Sequence, residues 1–335
     1  MSDDNRTRLE PLRPWKRWLL LRAYGMTTST LFGASTSPRT MRARFERFGR
    51  VSRDVLARKF PELVFADHAV GALALESVRA TLAPSRVILH LHGGGFFMGS
   101  PSSYRNRSVR LAYRCSAEVF VPDYRLAPEH PYPAALEDAL AAWRHVTTLR
   151  PGRPVLVTGD SAGGGLALSL LLRLRELGQP MPPAAVLLSP WTDLTVSGAS
   201  IEQNRRRDRW LSREHLETWA RHYVGIADPR SPYLSPVFAD LSGLPPLLLL
   251  AGRDEVLLDD TLRVQAAATR AGTDARVLVG HGMQHDWPLA LPWLDESRDA
   301  WEAIRRFVEE HSPRSQPAVS AGRVPPVSSA TATPG

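Results

Sequence analysis

The feature that most constrains this chain is Gly159-Asp160-Ser161-Ala162-Gly163, a G-x-S-x-G pentapeptide lying between two segments of different character. Ahead of it, after Pro151-Gly152, Val155-Leu156-Val157-Thr158 is a short apolar, β-branched run. Behind it, Leu166 to Leu177 is a long stretch of strong helix formers. The pentapeptide therefore reads as a sharp turn from a buried strand into a helix. Such a turn forces backbones together and strains the serine, so residues without a side chain are needed on either side of it.

A second glycine cluster, His92-Gly93-Gly94-Gly95-Phe96, follows Arg86-Val87-Ile88-Leu89-His90-Leu91, which reads as a central strand. Its glycines fall at the carboxyl end of that strand, where open α/β sheets place their ligands. Three glycines in a row leave backbone N–H groups able to approach an oxyanion, as acyl-transfer chemistry requires. A phosphate cradle is the competing reading. Neither this stretch nor Gly163-Gly164-Gly165 carries the Lys-Ser/Thr of a P-loop or the spacing G-x-G-x-x-G.

Chain order adds a third signal. An acidic turn, Gly252 to Asp260, follows the apolar strand Leu247 to Ala251, and Gly280-His281-Gly282-Met283-Gln284-His285-Asp286 follows the strand Ala275 to Val279. Serine, acid, histidine is the order of a triad carried on loops at one edge of an α/β sheet. A serine hydroxyl needs an imidazole to take its proton, and the imidazole needs a carboxylate to fix its tautomer.

These residues, with Asp123-Tyr124-Arg125-Leu126-Ala127-Pro128-Glu129-His130-Pro131-Tyr132-Pro133-Ala134-Ala135, resemble the signatures of the hormone-sensitive-lipase-like branch of α/β-hydrolases, the bacterial family IV carboxylesterases. The resemblance covers roughly residues 65 to 310. It implies an eight-stranded, mostly parallel sheet with helices on both faces, a helical cap, a Ser-acid-His triad and no cofactor or metal. By similarity the oxyanion donors are N–H groups within Gly93, Gly94 and Gly95 together with that of Ala162, and which two glycines act is open. Gly282-Met283-Gln284-His285-Asp286-Trp287 looks like the family's histidine loop, which favours His285 over His281 as the base. Family members carry an Asp-Pro-Leu-x-Asp stretch whose first residue is the acid. Here Glu255-Val256-Leu257-Leu258-Asp259 keeps that spacing, so Glu255 is the expected acid and Asp254 the alternative.

Composition bounds the rest. At 335 residues with 43% apolar side chains, one catalytic domain with a cap is expected. The expected division is an N-terminal cap segment over 1–50, a catalytic domain over 51–311 with a cap insertion at about 192–236, and a disordered tail over 312–335 rich in Pro, Ser, Ala and Thr. Met41 to Phe48 has amphipathic helical character, and a helix is expected from Ser212 as N-cap to Tyr223. A net charge of +8 invites a nucleic-acid reading. Only Lys16 and Lys59 among the 42 basic residues are lysines, however, and the arginines are scattered among 34 acids with no recognisable nucleic-acid module. A solvated surface is the better account.

Cys115 alone cannot form an internal disulfide and is expected to be a small buried hydrophobe. The apolar run Trp18 to Leu21 is cut by Arg22, too short for a membrane span, so no stable membrane insertion and a cytoplasmic location are expected. Asp160 and Tyr124 read as supports of loop geometry, His90, His130 and His145 as structural, and Asp259 or Asp260 as the cap of a helix over Thr261 to Ala271. The expected function is a serine carboxylesterase acting on short-chain acyl esters, a small-molecule substrate, through an acyl-enzyme. A deacetylase, amidase or lactone hydrolase uses the same machinery, and a receptor with an incomplete triad is the non-enzymatic alternative. Oligomeric state is open, a homodimer being compatible with the sequence.

Overall fold

A computed structural model describes residues 37–312; Trp15 to Tyr24 and the tail beyond Ser312 lie outside the described residues. Eight strands are formed: β1 (Val64–Val70), β2 (Leu73–Arg79), β3 (Arg86–Leu91), β4 (Ala117–Pro122), β5 (Val155–Asp160), β6 (Ala185–Leu188), β7 (Leu247–Gly252) and β8 (Ala275–Gly280). They build one sheet in the order β1-β2-β4-β3-β5-β6-β7-β8. The β1–β2 and β2–β4 pairs are antiparallel and every other pair is parallel. Strands β3 to β7 are buried along their whole length, which explains why they read as near-continuous apolar runs.

Because side chains alternate across a strand, each of these strands feeds two cores. On β3, Val87, Leu89 and Leu91 enter one apolar cluster and Ile88 the other. The first cluster is closed by α1 (Pro38–Gly49), α4 (Ala134–Leu149), α5 (Ala162–Glu176), α7 (Arg213–Val224) and α8 (Leu258–Arg270). The second is closed by α2 (Arg53–Lys59), α3 (Pro101–Cys115), the short α9 (Trp287–Ala290) and α10 (Asp295–His311). A four-residue α6 (Ser200–Gln203) lies in the long connection between β6 and β7. No helix among the described residues is long and apolar enough to cross a membrane.

Several local expectations meet the structure directly. Ser212 caps α7, its hydroxyl accepting from His215 N at 3.3 Å. Cys115 is buried. The helix after the pentapeptide begins at Ala162, four residues before the Leu-rich stretch, because three glycines that are poor helix formers are held in its first turns by packing.

The expected aspartate cap is corrected. Helix α8 starts at Leu258, so Asp259 and Asp260 lie inside its first turn; its N-cap residue is Leu257, and it is Ser200 Oγ that accepts from the first-turn amide Asp259 N, at 2.9 Å. Asp259 Oδ2 accepts from Ser200 N at 2.9 Å, and Asp260 Oδ2 accepts from Thr192 N and Asp193 N at 2.7 and 2.8 Å. These amides come from the long β6–β7 connection, and a buried carboxyl satisfied by two of them outweighs a local cap.

At the far end of the sheet, the buried Arg86 opens β3. Its guanidinium donates to Ser312 O at 2.6 Å and Cys115 O at 3.0 Å, where the carboxyl ends of α10 and α3 converge. Helix carboxyl ends carry partial negative charge, so a buried cation is stabilised there.

Packing of α5 against β3 is tightest at Gly163. A Cβ there would stand 2.1 Å from Leu91 O and 2.4 Å from His92 O, both backbone atoms that cannot turn away. Gly163→Ala is expected to cost about 3 kcal/mol or more. Gly178→Ala, where φ is +58 but space is open, should cost only about 1 kcal/mol. Urea unfolding midpoints of the two variants check the difference.

Candidate active site

Parallel strands bring the site together. Leu91 of β3 lies beside Gly159 of β5, Asp160 beside Leu188 of β6, and Gly252 of β7 beside Gly280 of β8. The loops that follow these strands therefore emerge along one edge, and they carry His92 to Gly95, Ser161, Ser189, Glu255 and His285.

Ser161 stands at the start of α5 with φ +52 and ψ −124, a backbone region that costs a non-glycine residue strain. It is held there by its own amide, which donates to Leu188 O at 2.8 Å, and by its carbonyl, which accepts from Gly164 N and Trp191 N at 3.0 and 2.9 Å. Its Oγ lies 3.0 Å from His285 Nε2. On the other side of the ring, His285 Nδ1 is 3.2 Å from Glu255 Oε2. A carboxylate only accepts, so Nδ1 carries a proton, and in the neutral ring Nε2 is left to accept from the serine hydroxyl.

The acid and histidine loops are stitched to each other by backbone bonds, Arg253 N to Gly280 O at 2.9 Å and Asp254 N to Met283 O at 3.1 Å. Glu255 points inward and is fully buried. Asp254 points away, its carboxylate 4.0 Å from Arg207. Of the two acids, the structure brings Glu255 to His285 and leaves Asp254 on the surface side. His281 is exposed and lies apart from the serine. Among the described residues no three His, Cys, Asp or Glu side chains converge as a metal site.

In the glycine loop, Gly93 N donates to Asp160 Oδ1 at 3.1 Å, and Asp160 Oδ2 accepts from Tyr104 OH at 2.7 Å. Gly94 adopts φ +114, and a Cβ there would meet Met98 O at 2.2 Å. Burial lowers the His92 pKa to about 4, so its ring is neutral. The ring stacks on Tyr124 at 4.1 Å, its Nδ1–H donates to Gly93 O at 2.8 Å, and Tyr124 OH donates to His92 O at 2.7 Å. Gly93 has thus committed its N–H to Asp160. The N–H groups of Gly94, Gly95 and Ala162 make no backbone hydrogen bond among the described residues.

Two further elements pack on this loop. From α1, Arg42 Nε donates to Phe97 O at 2.8 Å. From α7, Tyr223 stacks on Phe96 with centroids 3.7 Å apart, and Trp219 leans on Phe97 at 5.1 Å. Trp219 and Trp210, the latter edge-on to His285 at 5.5 Å, line a cavity of about 10 Å³ beside Ser161 together with Phe45, Gly94 and Gly95. That is on the order of one water.

Sequence reasoning passed over four residues that hold this arrangement. Ser189 Oγ donates to Glu255 Oε2 at 2.8 Å and accepts from Asp286 N at 3.1 Å. Asn204 Nδ2 donates to Glu255 O and Arg253 O at 2.8 and 2.9 Å, and Asp208 Oδ2 accepts from Val256 N at 2.8 Å. Asp286 itself sits with Oδ2 3.4 Å from His285 Nε2. The one available signal was the pair Asn204 and Asp208, short polar residues four apart within an arginine-rich run.

Burial works to lower the His285 pKa, yet Asp286, the hydrogen bond His285 donates to Glu255 and the nearby Asp208 outweigh it and push it up to about 9. Asp208 is itself raised to about 6, chiefly by burial. Asp286 is also raised, by burial and by repulsion from Asp160 and Glu255 against the pull of His285.

The family described as alpha/beta hydrolase fold matches residues 88–289. An acetyl-hydrolase of Streptomyces hygroscopicus is 43% identical over 71% of this chain and 80% of its own length. An esterase of Acinetobacter venetianus is 35% identical over 76% of this chain and 86% of its own. Among solved structures, an esterase from the bacterial hormone-sensitive lipase family superposes with a TM-score of 0.79 at 34% identity, covering 87% of this chain and 97% of that one. With its single eight-stranded sheet and a buried serine at the strand-to-helix turn, the chain belongs to the α/β-hydrolase family, among the hormone-sensitive-lipase-like bacterial esterases, and is a serine ester hydrolase.

Proposed function

We propose that Ser161, His285 and Glu255 form the catalytic triad of a carboxylesterase for short acyl esters. The observation that carries this reading is the pair of contacts on one imidazole, 3.0 Å to Ser161 Oγ and 3.2 Å to Glu255 Oε2. His285 Nε2 takes the serine proton as Oγ attacks the ester carbonyl, and Glu255 stabilises the imidazolium that forms. The tetrahedral oxyanion is held by the uncommitted amides of Gly94, Gly95 and Ala162, Gly93 being engaged by Asp160. His285 then returns the proton to the leaving alcohol, and water repeats the sequence on the acyl-enzyme.

Helices α1 and α7 serve in this reading as the cap. Phe45 from the first and Trp219 from the second line the cavity at Ser161. Trp210, Trp219 and the glycine loop wall the space beside Ser161 closely, which favours small acyl groups, and one relative is named an acetyl-hydrolase. N-acyl substrates would meet the same residues.

Ser161→Ala is expected to remain folded and to lose several orders of magnitude in kcat on p-nitrophenyl acetate, since no other group can form the acyl-enzyme. Retention of a tenth of the activity would refute the assignment. The two adjacent acids separate cleanly: Glu255→Gln should lower kcat by about two to four orders of magnitude through loss of the tautomer-fixing carboxylate, whereas Asp254→Asn should stay near wild type. A reversal between these two variants would exchange their roles.

The base must be free of its proton to act. With His285 pushed up to about 9, kcat/KM should fall as pH drops through that value and reach its plateau only on the alkaline side. A profile of kcat/KM against pH checks this, and a limb near pH 6.5 would contradict it.

A further inference from the structure

Asp286 stands beside His285, yet the reaction steps above give it no task. It occupies the N-cap of α9, where an aspartate normally turns its carboxylate back onto helix amides. Here the amides of Leu289 and Ala290 bond to its backbone carbonyl, each at 2.9 Å, as at any N-cap, but the side chain accepts from no helix amide. The backbone is left-handed, at φ +53 and ψ +31, and the amide is pinned to Ser189 Oγ. This conformation places Asp286 among the residues that line the cavity containing Ser161.

The side chain is 4% exposed. Oδ2 faces His285 Nε2, and Oδ1 is buried with no hydrogen-bond partner. Leaving a buried acceptor unsatisfied is costly, and such a group is retained where a role compensates. The charged and titratable groups around it are His285, Asp160, Glu255, Arg107 and Tyr104. Whether the carboxyl is neutral or ionised, one of its oxygens remains an acceptor.

Geometry says what could meet that oxygen. The leaving oxygen of an ester must come within hydrogen-bond reach of His285 Nε2 to collect its proton. Asp286 Oδ2 lies 3.4 Å from the same nitrogen. An alcohol whose chain leaves that oxygen on the Asp286 side passes its carboxyl.

We propose that Asp286 is a substrate-binding residue that reads the alcohol half of the ester, its unpartnered oxygen accepting a hydrogen bond from a hydroxyl or amino group one carbon beyond the esterified carbon. The favoured substrates are acyl esters of diols, polyols or amino alcohols, and esters of plain alkanols are discriminated against. This inference rests on the serine-esterase reading above.

The test compares kcat/KM for 2-hydroxyethyl acetate and propyl acetate, which differ by a hydroxyl in place of a methyl, in the wild type, Asp286→Ala and Asp286→Asn. The wild type should favour the hydroxyl substrate by about ten- to a hundredfold. Asp286→Ala should bring the ratio close to one, and Asp286→Asn, whose amide oxygen still accepts, should keep an intermediate preference. A wild-type ratio near one overturns the proposal, as does a preference that survives Asp286→Ala. Should the alanine variant be misfolded by circular dichroism, the wild-type and asparagine ratios decide alone. Absence of any turnover by the wild type, on p-nitrophenyl acetate as well, would bring down the esterase reading and this inference with it.

Discussion

Everything at this site depends on how closely α5 is allowed to approach β3. The serine turn can be sharp only because Gly163 lets two carbonyls, those of Leu91 and His92, come within van der Waals reach of its backbone. That approach sets the glycine loop directly opposite the first amide of α5. Two strands and one helix end are thereby fixed relative to each other by main-chain contacts, which are stiffer than side-chain packing. The strain at Ser161, at φ +52, is borne by the hydrogen bonds on its amide and carbonyl.

Electrostatics forms a second layer on that frame. The imidazole of His285 is ringed by Glu255, Asp286 and Asp208, all buried. A single base among several carboxyls keeps its proton strongly, because the same negative charges favour the imidazolium form. Ser189, Asn204 and Asp208 hold the acid loop from the β6–β7 connection, so the same insertion that supplies α7 also sets the direction of Glu255.

What could be read in advance follows from this division. The sheet, the serine turn and the order of the triad were legible because each leaves a local mark: apolar runs fully buried on both faces, glycines where backbones touch, loops after strands. Glu255 was preferred over Asp254 by spacing from a family pattern, and in the structure it is Glu255 that turns inward. Asp260 read as a helix cap because an aspartate at a helix start usually is one. Its true partners, the amides of Thr192 and Asp193, are 68 and 67 residues away in sequence. Ser189 was silent for the same reason, and Asn204 and Asp208 left only their spacing, since their partners on the acid loop are set by tertiary approach.

The clasp of Arg86 on Cys115 O and Ser312 O places the end of α10 at the amino-terminal edge of β3. Ser161 follows the opposite, carboxyl-terminal edge of β5, and the two strands run parallel in register. A six-residue strand separates those edges by about 20 Å. A bead or electrode attached at Ser312 would therefore hold the sheet at the edge opposite the one that carries Ser161.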